Sequence, residues 1–257
     1  MTTRDTDREE REQDSAIAAI RESLADIAAG RMKSLEEFDR DFRKRHNIPA
    51  RDFKVLYRDE HLIALDKPFG LLSVPGRGED KYDSLATRVQ KEYPAARVVH
   101  RLDMETSGVM IMALDAHTHR HLNRQFEKRR TKKRYVAVVA GRVAVDEGEV
   151  DQPLIKDFDR PPRHKVCYDF GKEALTHWRV VERDTDRTRV ELSPVTGRSH
   201  QLRIHMKHIG HPILGDALYA PGDVQAMSER LLLHAEELTV MHPEQQEFVT
   251  FRSACPF

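Results

Sequence analysis

The chain has 257 residues, 39% of them hydrophobic, enough for one large domain or two small ones with a genuine core. Its 43 basic and 43 acidic side chains cancel to a formal charge of zero, so overall electrostatics predict no attraction to nucleic acid or membrane, and any polyanion site must be local. There is no apolar run near the roughly 20 residues that cross a bilayer, the N-terminus is charged, and Cys167 and Cys255 are too few for a disulfide framework or a cysteine zinc site, so a cytosolic protein with reduced thiols is expected.

Residues 1 to 50 differ from the rest. Charges of both signs alternate in DTDREEREQD, then Ile17, Ile20, Leu24 and Ile27 recur at helical spacing up to Gly30. A second amphipathic helix is predicted from Ser34, an N-cap with Glu37 three residues later, through Phe38 and Phe42 to Arg43, Lys44 and Arg45. This stretch reads as a charged helical extension, a solvated face or oligomer contact, to which no site is assigned. A monomer is expected, with dimerisation through the extension as the alternative.

From Phe53 the pattern changes to short apolar runs such as KVLY, HLIALDKP, VVHRL, GVMIMALD and RYVAVVAG, separated by Gly, Pro and Asp, which predict strands in a second domain over 51 to 257. Helices are predicted over 84 to 93, 116 to 129 and 201 to 209, with another near 224 to 230. Several strands are adjacent in sequence, so the expectation is an α+β domain with a mixed, largely antiparallel sheet and flanking helices.

Lys67, Pro68 and Gly70, then Ser73, Val74 and Pro75, mark a strand-to-loop transition suited to structural support. HRLDMETSG, residues 100 to 108, is a polar loop between two apolar runs, with Asp103 two residues from Arg101 and hydroxyls at Thr106 and Ser107. The residues fit either a presented carboxylate or a turn in which Asp103 caps local amides. Arg120, Arg124, Lys128, Arg129, Arg130, Lys132, Lys133 and Arg134 form a basic run in which Glu127 is the only acidic side chain, able to track phosphates or to be a solvated helix face. Tyr135 ends it, as a core residue or an aromatic beside a cationic surface. In TGRSHQLRIH, residues 196 to 205, a glycine turn enters a helix without acidic residues, a place where anions can bind.

HRLDMETSG is similar at every fixed position to the HRLDxxTSG signature of the RluA-type pseudouridine synthases, and the resemblance runs over roughly residues 53 to 252 through KPFGLLSVPGR, KKRYVAVV, RPPRHKVCY, TGRSHQLRIHM, GHPILGD and LLLHAE. It implies a pseudouridine synthase fold with a central catalytic cleft, and an enzyme that isomerises uridine in structured RNA. Asp103 is then the catalytic carboxylate, which attacks the nucleoside or takes a sugar proton so that the N1 to C1′ bond breaks and the base rejoins through C5. Tyr135 is the tyrosine that stacks on the target base and is implicated in loss of the C5 proton, and Arg203 the arginine that pairs with the aspartate through a charge-assisted hydrogen bond. RNA contacts are expected at His100, Arg101, Thr106, Arg129, Arg130, Lys132, Lys133, Arg198 and His200, with Arg101 filling the gap left by the extruded uridine and with packing or fixing of the loop as the alternative role for His100. Ser199 replaces the usual family threonine and keeps its hydroxyl. The segments look closest to the RluA branch, whose substrates are an anticodon stem-loop uridine in tRNA and a stem-loop uridine in large-subunit rRNA.

The sequence has 14 histidines, and the series His117, His119, His121 and His205, His208, His211 raise a metal-dependent hydrolase as a rival. Residues two apart diverge around a helix, and the second series has no nearby carboxylate ligand, so no metal is expected. Nor is a cofactor, since an isomerisation needs neither redox carrier nor nucleotide fuel and no nucleotide-binding loop is visible. The stronger rival is a noncatalytic RNA-binding protein, which would gain nothing from a carboxylate at position 103.

Overall fold

The computed structural model describes residues 53–76 and 81–257, and the helical extension expected over 1 to 50 lies outside them. Twelve strands are described: β1 (Lys54–Arg58), β2 (Leu62–Lys67), β3 (Arg97–Val98), β4 (Ser107–Ala113), β5 (Lys132–Ala140), β6 (Glu147–Asp151), β7 (Leu154–Lys156), β8 (His164–Val166), β9 (Leu175–Arg183), β10 (Arg187–Pro194), β11 (Leu233–Met241) and β12 (Phe248–Arg252). Ten of them form one sheet in the order β1-β2-β4-β11-β5-β10-β9-β6, with β3 pairing β4 and β12 pairing β11, while β7 and β8 make a separate hairpin. All pairings in the large sheet are antiparallel except β4 with β11. Among the described residues the helices are α1 (Leu85–Glu92), α2 (Ala116–Glu127), α3 (Gln201–His208) and the short α4 (Gly222–Ala226).

The runs HLIALDKP and GVMIMALD become β2 and β4, strands buried on both faces, which is why they read as continuous rather than alternating. In β4 every residue is buried. Met110 and Met112 join Ile63 and Leu65 of β2 and Leu85 and Val89 of α1 in one cluster. Val109 and Ile111 turn the other way, onto Leu62, Ala64 and Leu122 of α2. Each such side chain contributes about 1.5–3 kcal/mol on leaving water. A third cluster, under α3, unites Ala137 and Val139 of β5 with Val190, Leu192, Leu202 and Met206.

Helix boundaries follow from local chemistry. Ser84 caps α1 by accepting the Thr87 N–H at 3.2 Å, and the Thr87 hydroxyl oxygen in turn accepts the Ser84 N–H at 3.0 Å. Asp115 caps α2 through the Thr118 N–H at 2.8 Å. This helix ends at Glu127, two residues before the predicted end, because Arg129 turns left-handed with φ 56°. The segment VVHRL is strand only at its start, since β3 stops at Val98 and residues 99 to 106 form the loop that carries Asp103. The helix predicted near 224 to 230 is the earlier, shorter α4.

One glycine holds the junction beneath that loop. Gly108 has φ 114°, opposite Ala235 in the parallel pairing of β4 with β11, and a Cβ there would meet the Ala235 carbonyl oxygen at 2.2 Å. Gly108→Ala combines a strained backbone with a backbone clash, so a loss of about 4 kcal/mol is expected. Thermal unfolding should register it as a fall in Tm of roughly 10 °C, and an unchanged Tm would mean that the two strands do not approach this closely.

Candidate active site

Asp103 stands on a loop pinned from below by the strand-to-loop segment after β2. Lys67 is fully buried, and its ammonium donates to the carbonyls of Pro68 at 2.8 Å, Leu71 at 2.7 Å and Met104 at 3.0 Å. Its three protons are thus all used. The Gly70 N–H also donates to Met104 O at 3.0 Å, and the Ser73 hydroxyl donates to Leu102 O at 2.6 Å while accepting the Leu102 N–H at 3.0 Å. Both neighbours of Asp103 are therefore clamped, and the Thr106 N–H closes the turn onto Asp103 O at 3.1 Å. Burial pushes the Lys67 amine down to about 8, against the opposing pull of the Asp103 and Glu105 charges.

The Asp103 side chain is 24% exposed and projects into a cleft of about 500 Å³ lined also by Arg101, Thr106, Lys133, Tyr135, Arg198, His200 and Arg203. Two nitrogens face its Oδ2 at 4.0 Å, Arg203 Nη1 and His200 Nε2. The expected hydrogen bond from Arg203 is therefore corrected: 4.0 Å is too long for one. The short bonds of Arg203 go instead to Asp216, from Nε at 2.8 Å and Nη2 at 2.6 Å. This bidentate pair is almost wholly buried, and Asp216 Oδ1 additionally accepts the N–H groups of Leu218 and Tyr219 at 2.9 and 3.0 Å. One edge of the guanidinium is fixed, and the remaining nitrogen is held toward Asp103.

His200 is positioned by a parallel chain. Its Nδ1 lies 2.6 Å from the Tyr219 hydroxyl, which accepts the His164 N–H at 2.8 Å. The tautomer that lets Tyr219 donate to Nδ1 carries its proton on Nε2, toward the carboxylate. Burial lowers the His200 pKa, against the pull of Asp103. The loop before α3 is fixed by Gln201, whose Oε1 accepts from the Thr196 hydroxyl at 2.7 Å and the Arg198 N–H at 3.0 Å, while Nε2 donates to Leu175 O at 3.0 Å.

Opposite Asp103, β5 presents Lys133 and Tyr135. Lys133 donates to Thr196 O at 3.1 Å, and burial pushes its amine down to about 8, assisted by the charge of Arg129. Burial first, then the Asp103 charge, pushes the Tyr135 phenol up, so it stays protonated. Such a cleft offers a carboxylate, cationic nitrogens and a flat ring to one nucleoside.

Four expected RNA contacts fall differently. His100 is a structural residue: its Nε2 accepts the Ile111 N–H at 3.0 Å, its ring stacks on Phe126 at 4.7 Å, and burial lowers its pKa to about 3. Strand alternation puts Lys132 on the face opposite Tyr135, the face of Arg134, which is engaged with Glu191, Glu236 and Glu237. Arg129 and Arg130 sit in the turn between α2 and β5, where Arg129 pairs with Glu173 at 3.1 Å, outside the cleft. The basic run is thus divided among three directions. Arg101 is exposed at the rim, Thr106 is buried in the wall, and Arg198 donates from Nε to Glu173 O at 3.0 Å. Asp216, Tyr219 and His164 were not singled out from sequence. Asp216 belongs to the GHPILGD segment, where an isolated acid gives no sign of its partner.

The profile of the RNA pseudouridylate synthase family matches residues 61–208. The chain is 55% identical over 191 residues to a protein of Yersinia pestis named dual-specificity RNA pseudouridine synthase RluA, covering 74% of this chain and 93% of that one. With the protein of the same name from Escherichia coli K12 it shares 53% over 204 residues, 79% of this chain and 93% of the relative. Among solved structures, human RNA pseudouridylate synthase domain containing 1 superposes with a TM-score of 0.69 at 26% identity, over 81% of this chain and 86% of the human one.

Proposed function

The chain belongs to the RluA family of RNA pseudouridine synthases, and from that premise we propose that it isomerises one uridine in a tRNA anticodon stem-loop and one in a 23S rRNA stem-loop, with Asp103 as the catalytic carboxylate. The observation that carries the site is the clamped loop: a partly exposed carboxylate with rigid neighbours, facing Arg203 and His200 across 4.0 Å. What supports two substrates is the segment resemblance to the RluA branch together with the "dual-specificity" names of the 53–55% identical relatives.

In this reading the target uridine leaves its stack and lies over the Tyr135 ring, while Arg101 at the rim takes the vacated space. Asp103 either bonds to C1′, displacing N1 of uracil, or removes a sugar proton. The freed base turns until C5 faces C1′, and the new C–C bond forms as Asp103 leaves C1′ in the first route or returns its proton to the sugar in the second; C5 then loses its proton and N1 gains one, so atoms balance with no co-reactant. Because Tyr135 is held as a phenol, it serves first as a stacking platform, and it can accept the C5 proton only by passing on its own. Arg203 Nη1 and the His200 Nε2 proton steady the carboxylate without quenching it by close pairing.

The rival reading as a noncatalytic binder is weakened by family membership and leaves the Asp103 carboxylate in an RNA-facing cleft without a use. Pseudouridine mapping of total RNA with and without the gene product tests the substrates. One site should disappear from tRNA and one from 23S rRNA, and loss from tRNA alone would contradict the dual assignment.

A further inference from the structure

Behind the cleft wall lies a second, basic pocket of about 610 Å³ between the β7–β8 hairpin and the end of α3. We propose that it binds a backbone phosphodiester of the same RNA strand whose uridine occupies the Asp103 cleft, an inference that rests on the RNA substrate reading above. Arg160, Arg163, Lys165, Lys207 and His208 line it, against a single lining carboxylate, Asp157. Asp157 is 3% exposed and already engaged by Arg160 at 3.2 Å and Lys165 at 3.3 Å. Lys165 also comes within 3.8 Å of the exposed Asp159. Among the described residues, neither Arg163 nor Lys207 has a carboxylate at ion-pair distance.

That is an uncompensated pair of cations in a concave site, on a chain whose formal charge is zero. Phosphate is the anion that such a pair suits, with the guanidinium offering a fork and the ammonium a point charge. An RNA strand is its source because the two pockets share a wall. Tyr219 lines the basic pocket while its hydroxyl holds His200, and the His164 ring stands edge-on to His200 at 5.4 Å. A strand crossing the His164–His200 edge passes from one site to the other. The cleft selects the base, and this pocket grips the backbone beside it.

The test uses the full chain and a stem-loop containing the target uridine. In the Arg163→Ala, Lys207→Ala double variant, affinity read by fluorescence anisotropy should fall about tenfold near 0.1 M salt, and the slope of log K against log salt should flatten by about 1. The single-turnover rate at saturating RNA should hold within about twofold, and Arg163→Lys with Lys207→Arg should recover most of the affinity. Unchanged affinity and slope would overturn the site, as would a saturating rate that falls as far as the affinity. Neither result touches the activity assignment, which fails only if the unsubstituted protein forms no pseudouridine, and the binding arm reads the pocket in that case too.

Discussion

Asp103→Ala is expected to abolish pseudouridine formation, lowering the single-turnover rate by at least about 10⁴-fold, while RNA affinity stays within about threefold of the unsubstituted protein. The split follows from the geometry. Among the described residues, the Asp103 carboxylate makes no close hydrogen bond, and its nearest cations stand 4.0 Å away. Truncation therefore strips no partner of a short bond. Its loop is held by backbone and by Lys67, not by its own side chain. Removing a negative charge from an RNA-facing cleft also removes repulsion from phosphate, so binding has no reason to weaken. Asp103→Asn, which keeps the shape, should be equally inactive. An alanine variant with normal product yield would remove the carboxylate from the chemistry.

Asp216→Ala should have the largest effect on stability among residues around the cleft. Arg203 is 3% exposed on its side chain, and Asp216 supplies both of its short bonds. Deleting that partner leaves a buried guanidinium uncompensated, a loss of about 3–5 kcal/mol, and frees the Leu218 and Tyr219 amides as well. A fall in Tm of roughly 10 °C is expected by calorimetry. Asp216→Asn should fold better yet still be slow, because a released Arg203 can turn all of its donors onto Asp103 and quench it in a close ion pair. The Asn substitution should then cost nothing further in rate when Asp103 is already replaced. If Asp216→Ala melts like the unsubstituted protein, the bidentate pair does not anchor this arginine.

The residues that were legible in sequence are those whose role is written in a contiguous segment. HRLDMETSG reads as a polar loop between two apolar runs, and Asp103 does stand on a loop between β3 and β4. Strands buried on both faces were conspicuous, as in GVMIMALD. By contrast β9 and β10 escape notice in the sequence, although Thr176 and Trp178, then Thr188, Val190 and Leu192, alternate inward with less buried polar residues between them. Asp216 could not be matched to Arg203 from a segment 13 residues away, because their pairing depends on a loop folding back over α3. The basic run misled for a related reason: a turn and a strand inside it send successive cations to different faces, so clustering in sequence is not clustering in space. His100 looked like part of the site by adjacency to Arg101, yet its ring nitrogen is committed to the Ile111 amide.

The claim on which the account turns is that Asp103 reaches the sugar of a uridine drawn out of its RNA. A crystal structure of the Asp103→Asn protein with a target stem-loop measures this directly. The account predicts the flipped uracil stacked on Tyr135 and the ribose C1′ about 3–3.5 Å from the residue 103 side chain. A uridine still stacked in its helix, or a ribose held elsewhere than beside residue 103, would contradict it.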